Sequence, residues 1–319
     1  MRAWLSTLRQ RSELIAFALA VLLFIAGGLA HPGFASYGLA INILRLAAFL
    51  GIVAAGQTLV IIAGGEGIDL SVGSVVTLGA ILVYHLSAGK DELAAPALLI
   101  ALGAGALIGA VNGVGITLAR IPPLVMTLGM SGVVQGMILA VTQGRLSGGT
   151  PPVVEVLVNA PFWAGIPGVL LIWAVVGIAM WLLLTRTPYG KYLFAVGANR
   201  VAARLSGVRV PVLLVLTYAL SGLLAALAGV VLLGYIQRVF LDLGSDYTLP
   251  SVAAVVVGGT VLSGGQGGYL GTMAGALLLT ILSSLLTTLM LPESVREIVF
   301  GLLLLLLLSA YGRQHRLRR

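Results

Sequence analysis

The sequence predicts an all-α protein, a polytopic bundle of about ten transmembrane helices, some of them short or broken. Three observations support this: 59% of the residues are hydrophobic, only 9% are charged, and long apolar runs recur along the 319 residues. An ordinary soluble domain carries about 25% charged residues, and a helix needs about 20 apolar residues to cross a bilayer. Most of the chain is therefore expected to lie in lipid.

Ten apolar runs, bounded by charged residues, glycine or proline, mark the predicted spans. Val72–Leu86 and Ser251–Leu262 are too short to cross alone and border glycine clusters, which is typical of broken or tilted helices. No low-complexity linker divides the chain, so residues 1–319 are predicted to form a single transmembrane domain. The ten runs are Leu14–Ala30, Leu46–Ala63, Val72–Leu86, Ala94–Ala119, Pro123–Thr142, Val169–Leu184, Val212–Ile236, Ser251–Leu262, Tyr269–Leu291 and Val295–Tyr311.

The distribution of basic residues predicts the orientation. Ten spans place both termini on the same side, and a cytoplasmic N-terminus puts 13 of the 18 Lys and Arg residues inside, as the positive-inside rule favours. Both termini are therefore expected to be cytoplasmic. The net charge of +8 does not indicate nucleic-acid binding, because the basic residues lie beside apolar spans and not in a solvated domain with stacking aromatics.

Catalysis, metal binding and a cofactor are not expected on this chain. The sequence has no cysteine, which excludes a thiolate metal site. Its three histidines are isolated from one another and from carboxylates. It also lacks the G-x-x-x-x-G-K-[ST] spacing of a nucleotide-binding loop. If the protein pumps with ATP, hydrolysis must lie on another chain.

The longest basic loop, residues 185–211, contains signals for two short helices. Thr187 followed by proline is a good start, so a helix is predicted to run toward Val196 until Gly197 stops it. Asn199 is predicted to cap a second helix, Arg200–Leu205. This helix should end at Ser206 and Gly207, with glycine in the left-handed conformation of a C-cap.

The side chains of the first of these helices favour docking into a groove of another protein. Tyr189, Tyr192, Leu193 and Phe194 are expected to be exposed there, alternating with small residues that let a partner approach. A plain connector, whose basic residues only fix the membrane orientation, is an equally good interpretation from spacing alone.

A second candidate segment, residues 64–73, places two carboxylates beside an apolar span. Each would cost about 2.5–3.5 kcal/mol at the bilayer centre. Glu66 and Asp69 must therefore lie at an interface, in a cavity or against protein donors. Asp69 is predicted to cap the next helix by accepting from the N–H of Ser71 or Val72. Direct contact with a substrate or a proton is the alternative.

The third candidate is the glycine-rich segment 258–268, which lies between two apolar runs. Nucleotide binding is not expected there, since no lysine is in reach. Close helix packing through small residues is predicted instead. The segment faintly echoes residues 64–73, which would be consistent with paired breaks in the bundle.

Uncharged polar side chains in or at the ends of spans form a candidate passage. Hydroxyl and amide groups suit a neutral polyol that must shed and regain hydrogen bonds. Each is equally interpreted as an interhelical hydrogen bond worth about 0.6 kcal/mol. The candidates are Gln57, Thr58, Asn112, Thr127, Gln135 and Thr260.

Four groups of motifs resemble the signatures of the ribose-type sugar permeases of ABC importers. They occur in the family's order and cover most of the chain, and four in register are specific where one would be weak. They are Asp-Leu-Ser-Val-Gly at 69–73, Thr-Leu-Gly at 127–129, Tyr-Gly-Lys, Ala-Val-Gly-Ala-Asn and Ala-Ala-Arg-Leu-Ser-Gly within 185–211, and Gly-Gly-Thr-Val-Leu-Ser-Gly-Gly at 258–265.

The resemblance implies a permease subunit of a bacterial inner membrane that carries a monosaccharide or similar small polyol. Residues 185–211 would be the coupling loop that rests on a cytoplasmic ABC ATPase, the subunit that uses ATP and Mg. A second permease copy, in a homodimer, and an external solute-binding protein are the other expected partners. The coupling residues carried over are Pro188, Tyr189, Gly190, Lys191, Ala195, Gly197, Asn199, Ala202, Ala203, Ser206 and Gly207. The gate or helix-break residues are Gly65, Asp69, Ser71, Gly73, Gly258, Gly259, Ser263 and Gly264.

Two alternatives stay open. The same fold would serve a nucleoside or a signalling furanosyl compound. A secondary transporter driven by an ion gradient would need intramembrane acid–base groups, for which only Glu66 and Asp69 are candidates. A membrane enzyme is least favoured, because no nucleophile–base or metal-binding set converges in the sequence.

Overall fold

The computed structural model describes residues 12–162 and 165–292, together with residues 294–295, 298–299 and 301–302. Residues 12–288 of this part form twelve α-helices and two short 3₁₀ helices with defined bounds, and the residues described after 293 are also helical. The α-helices are α1 Ser12–Ala30, α2 Tyr37–Ile62, α3 Val72–Ser87, α4 Ala94–Thr117, α5 Pro123–Thr142, α6 Pro152–Asn159, α7 Gly168–Arg186, α8 Pro188–Ala198, α9 Arg200–Leu205, α10 Val210–Ile236, α11 Thr248–Val257 and α12 Tyr269–Thr288.

The predicted all-helical membrane bundle is confirmed, but the number of about ten spans is not. Of the described helices, seven are long and apolar enough to cross a membrane, namely α1, α2, α4, α5, α7, α10 and α12. Helix α3 has only 16 residues and α11 only 10. The tenth predicted span, Val295–Tyr311, lies mostly outside the described residues.

Two predicted spans differ from the helices by more than about three residues at one end. The run predicted from Leu46 belongs to one continuous helix that begins at Tyr37, because the hydroxyl of Ser36 caps that helix. The run predicted to end at Leu262 stops at Val257. The chain cannot continue as a helix there, since Gly259 takes a φ of +91°, outside the right-handed helical region.

Helix α10 lies at the centre of the bundle, packed against α2, α3 and α4. Its contact with α4 depends on glycines four residues apart. A methyl group at Gly109 would overlap the carbonyl oxygen of Tyr218, and one at Gly105 would overlap that of Gly222. The two backbones touch, as small residues allow between membrane helices. On another side of α10, Ser221 lies against α2 at Gly56.

The outer surface of the bundle is apolar. Leu22 on α1, Leu128 on α5 and Val175 on α7 are all at least 60% exposed. Large apolar side chains exposed along whole helices would be costly in water, but they are what a surface in contact with lipid requires. The exposed sides of these helices therefore form the surface that faces the bilayer.

Candidate functional site

Helix α8 starts where the sequence predicts but ends later. The hydroxyl of Thr187 accepts from the N–H of Gly190 at 3.3 Å, and the proline after Thr187 occupies the first helical position. The prediction that Gly197 stops the helix is wrong, since α8 continues to Ala198. The extended backbone of Asn199, with φ −160° and ψ 107°, ends it. Gly197 instead makes a close backbone contact, described below.

Helix α9 has the predicted bounds and caps. Asn199 Oδ1 accepts from the N–H groups of Val201 and Ala202, both at 3.0 Å. The helix ends at Leu205, and Gly207 takes a φ of +86°. The prediction of two capped helices in this loop is confirmed.

Helix α8 lies with one side against the bundle, so part of the predicted exposure is wrong. Leu193 is fully buried, because its side chain points at the bundle. Tyr189 is partly buried, and its hydroxyl shares a hydrogen bond with that of Thr217 at 2.9 Å. Burial raises the pKa of Tyr189 to about 12, so its phenol stays neutral. Tyr192 is 48% exposed, as predicted, and Phe194 is intermediate.

The coupling residues carried over from the resemblance separate by exposure, and their role stays a prediction. Gly190 and Ala203 are buried, and Tyr189 and Gly197 are partly buried. The remaining residues are exposed, and we call the exposed surface of these two helices the α8–α9 face. Its members from the prediction are Pro188, Lys191, Ala195, Asn199, Ala202, Ser206 and Gly207.

Two residues of the α8–α9 face were missed by the sequence analysis. Val201 is 69% exposed and Leu205 is 85% exposed. They are four residues apart and therefore lie on the same side of α9. The sequence did contain a signal for them, since two apolar residues four positions apart occur on a short helix with polar residues at both ends. They give the α8–α9 face an apolar patch suited to a protein partner.

A non-helical segment, residues 63–71, separates α2 from α3. We call this segment the Asp69 break. Asp69 is 1% exposed. Its Oδ1 accepts from the N–H of Ser71 at 3.0 Å and from the Ser71 hydroxyl at 2.6 Å, and its Oδ2 accepts from the hydroxyl of Ser221 at 2.8 Å. The predicted hydrogen bond from the Ser71 N–H is confirmed, but the N-cap position of α3 is Ser71, so Asp69 lies two residues before the cap. Glu66, in contrast, is exposed.

Side chains from three helices satisfy the polar groups of the Asp69 break. Gln57 on α2 accepts from the N–H of Asp69 at 3.1 Å and donates to its carbonyl at 2.9 Å. Thr127 on α5 accepts from the next N–H along the chain at 3.1 Å. Asn112 on α4 donates to the Ser71 hydroxyl at 2.9 Å. Irregular backbone inside a membrane bundle is tolerated when it is paired in this way.

The candidate passage residues mostly hold the bundle together in this conformation, and their contact with a cargo stays a prediction. Besides the three that pair with the break, Thr58 shares a hydrogen bond with Thr272 on α12 at 2.8 Å. Thr260 is fully buried, and its hydroxyl has no hydrogen-bond partner among the described residues. Gln135 is exposed on α5.

The segment 258–268 allows α11 and α12 to pack closely, as predicted. A methyl group at Gly258 would overlap the carbonyl of Gly271, and one at Gly275 would overlap the carbonyl of Ala254. At the start of α3, similarly, a methyl group at Gly73 would overlap the Thr248 hydroxyl. These glycines let the two short helices approach their neighbours.

Two glycine turns, at residues 64–65 and 264–265, meet Gly197 of α8 in a cluster that we call the glycine junction. The N–H of Gly265 donates to the carbonyl of Ile62 at 2.9 Å. A methyl group at Gly197 would overlap that same carbonyl, and one at Gly264 would overlap the Cα of Gly64. The junction joins the loop that carries α8 and α9 to the chain beyond α2 and beyond α11. Its members are Gly64, Gly65, Gly197, Gly264 and Gly265.

A bundle of apolar helices interrupted by buried polar breaks, with an exposed capped loop joined to those breaks, is the architecture of a membrane transport protein. The chain belongs to the permease family whose model, described as a branched-chain amino acid transport system permease component, matches residues 39–308. As a permease component it is a multi-pass inner-membrane protein, and it is not the catalytic subunit of its transporter.

Curated relatives confirm the resemblance to ribose-type permeases. A ribose import permease protein of Escherichia coli strain K12 is 36% identical over 314 residues, covering 96% of this chain and 93% of the relative. One from Bacillus subtilis strain 168 is 35% identical, with 89% and 88% covered. An autoinducer 2 import system permease protein of Photorhabdus laumondii is 35% identical, with 82% and 78% covered. No solved structure gave a significant match.

Proposed function

We propose that this chain is the translocating permease subunit of an ATP-driven ABC importer for a monosaccharide or similar small polyol. The observation that carries the proposal is the similarity to ribose import permeases over nearly the whole length of both chains. ATP hydrolysis is assigned to a separate cytoplasmic ABC ATPase, which uses ATP and Mg. This assignment is supported by the missing nucleotide-binding motif in the sequence.

The cargo proposal rests on charge as well as on similarity. An amino acid would bring two charges into the bundle, each of which would need a partner there. The carboxylate beside the candidate passage residues, Asp69, already accepts from Ser71 and Ser221, and the candidates themselves are amides and hydroxyls, which suit a neutral polyol. A signalling furanosyl compound is the second candidate, because relatives named for autoinducer 2 import are 32–35% identical. A ribose permease is preferred, because the Escherichia coli relative is 36% identical over 96% of this chain, against 35% over 82% and 32% over 97% for the two autoinducer 2 relatives.

The arrangement in the membrane follows from the same proposal. With α3 and α11 as short or broken crossings, the ten spans predicted from the sequence place both termini on the same side, and the excess of basic residues assigns that side to the cytoplasm. The α8–α9 face then points into the cytoplasm, where it docks the ATPase. Two copies of the chain form a homodimer around the passage, and an external solute-binding protein delivers the cargo to it.

Replacing Leu205 with aspartate tests the docking proposal. Leu205 is 85% exposed, so the change should leave the fold intact. Burying a leucine at an interface contributes about 1.5–3 kcal/mol, and a buried aspartate adds a further cost. We expect the affinity for the ATPase to fall by about tenfold or more. Co-purification of the ATPase with the permease measures this.

Met290→Asp is the matched control, because Met290 is 91% exposed and lies just beyond the end of α12, a helix whose start lies beside Phe194 of α8. It should insert and retain the ATPase. Equal recovery of the ATPase with both variants would refute docking on the α8–α9 face.

A further inference from the structure

Arg200 is the first residue of α9. Its side chain extends from the loop of residues 185–211, which we call the docking loop, into the glycine junction. Its Nη2 donates to the carbonyl of Gly64 at 2.9 Å. A methyl group at Gly65 would overlap its guanidinium, so the glycine is what admits the side chain. The Nε of Arg200 is buried and has no hydrogen-bond partner among the described residues. The guanidinium therefore contacts the backbone of the Asp69 break through the hydrogen bond to Gly64 and through packing on Gly65.

The Asp69 break is compact enough to carry a displacement from Gly64 to Asp69. The chain folds back on itself there, since a methyl group at Gly67 would lie 2.9 Å from the carbonyl oxygen of Val60 and 3.2 Å from that of Gly64. Five residues further on from Gly64, the carboxylate of Asp69 is held by Ser221 of α10. A shift at Gly64 would therefore reach the centre of the bundle instead of being absorbed by a loose loop.

The docking loop also contacts the glycine-rich segment 258–268, which follows α11. Gly197, three residues before Arg200, lies against both the Ile62 carbonyl and the N–H of Gly265. That N–H donates to the Ile62 carbonyl at 2.9 Å. The contacts made by Gly197 are backbone to backbone and need no side chain. Arg200, in contrast, makes its contact with Gly64 through its side chain.

We propose that Arg200 is a positioning residue that transmits movement of the docking loop to the Asp69 break during transport. This inference rests on the proposed docking of an ATPase on the α8–α9 face. ATP can shift the permease between two conformations only through contacts that differ between them. The hydrogen bond from Arg200 to Gly64 joins the docked element to the Asp69 break, and we assign it as one of the contacts that change.

The test uses Arg200→Ala and Arg200→Met in proteoliposomes that contain the complete transporter, with ribose uptake and ATP hydrolysis measured together. Met keeps the length of the apolar stem and removes the donors. Both variants should still co-purify with the ATPase and hydrolyse ATP, whereas uptake per ATP should fall by about ten- to a hundredfold. Arg200→Lys should restore part of the coupling, because its ammonium can still donate to the carbonyl.

Arg204→Ala is the matched control, since Arg204 lies one turn later on the same helix and is exposed. It should couple normally. Normal uptake per ATP in Arg200→Ala and Arg200→Met would overturn the proposal. So would loss of the folded complex in both variants with Arg204→Ala intact, because that would assign Arg200 a purely structural role.

A distance measurement separates transmission from stability. The chain has no cysteine, so spin labels can be placed at Glu66, in the break, and at Lys90, beyond the far end of α3, both of which are exposed. A non-hydrolysable ATP analogue should change this distance in the complex. The change should disappear in Arg200→Met and persist in Arg204→Ala.

Persistence of the distance change in Arg200→Met would also overturn the proposal. The docking proposal is tested separately. It fails if the Leu205→Asp permease still co-purifies with the ATPase as the unmodified permease does.

Discussion

Replacing Gly197 with alanine is expected to abolish most ATP-driven uptake while the protein still inserts into the membrane. The added methyl group would overlap the carbonyl oxygen of Ile62 and the N–H nitrogen of Gly265. Both are backbone atoms, which cannot rotate away as a side chain can. Overpacking of this kind costs about 1–3 kcal/mol, which is the size of a typical coupling free energy. The glycine junction should therefore open, and hydrolysis should continue without transport.

The measurement for Gly197→Ala is uptake per ATP hydrolysed in proteoliposomes. Gly103→Ala provides the control, because Gly103 is an exposed glycine in α4 whose added methyl group would meet no atom within 4 Å. It should transport normally. Unchanged coupling in Gly197→Ala would show that the close contact of α8 with the break has no part in transport.

Replacing Asp69 with alanine is expected to destabilise the bundle and abolish uptake. The change removes the acceptor for three donors, namely the N–H and hydroxyl of Ser71 and the hydroxyl of Ser221. Hydrogen bonds to a charged group contribute about 1.5–3 kcal/mol each, and the donors left behind are buried. We expect the free energy of unfolding to fall by about 3 kcal/mol or more. Thermal unfolding in detergent and uptake in proteoliposomes measure the two effects.

Two controls bracket the effect of Asp69→Ala. Ser221→Ala removes one of the three donors and should cost about 1.5–3 kcal/mol. Glu66→Gln changes an exposed carboxylate three residues earlier and should leave stability unchanged. A variant Asp69→Ala as stable and active as the unmodified protein would show that the carboxylate does not organise the break.

Structural features that depend on residues close together in the sequence, such as helix caps, were predictable. Asn199 and Gly207 gave the bounds of α9, because capping involves residues two or three positions apart. Asp69 was assigned its contact with Ser71 for the same reason. The apolar runs predicted most of the long helices, since the length of a span is set by the bilayer.

Features that depend on distant parts of the chain were not predictable. Ser221 is 152 residues from Asp69, and nothing local marks it as the second partner of the carboxylate. Gly197 was interpreted as a helix stop because glycine is used both to end helices and to let another backbone approach closely. The sequence alone does not distinguish the two uses. Leu193 was expected to be exposed, because an 11-residue helix does not reveal which side faces the bundle.

The most direct test of the central claim is uptake of ribose by proteoliposomes that contain this chain, with and without an ABC ATPase and a solute-binding protein. The account predicts that sugar accumulates only when the ATPase, ATP with Mg and the binding protein are all present. It also predicts that a proton gradient alone gives no accumulation. Uptake driven by a proton gradient in the absence of the ATPase would contradict it and would identify a secondary transporter.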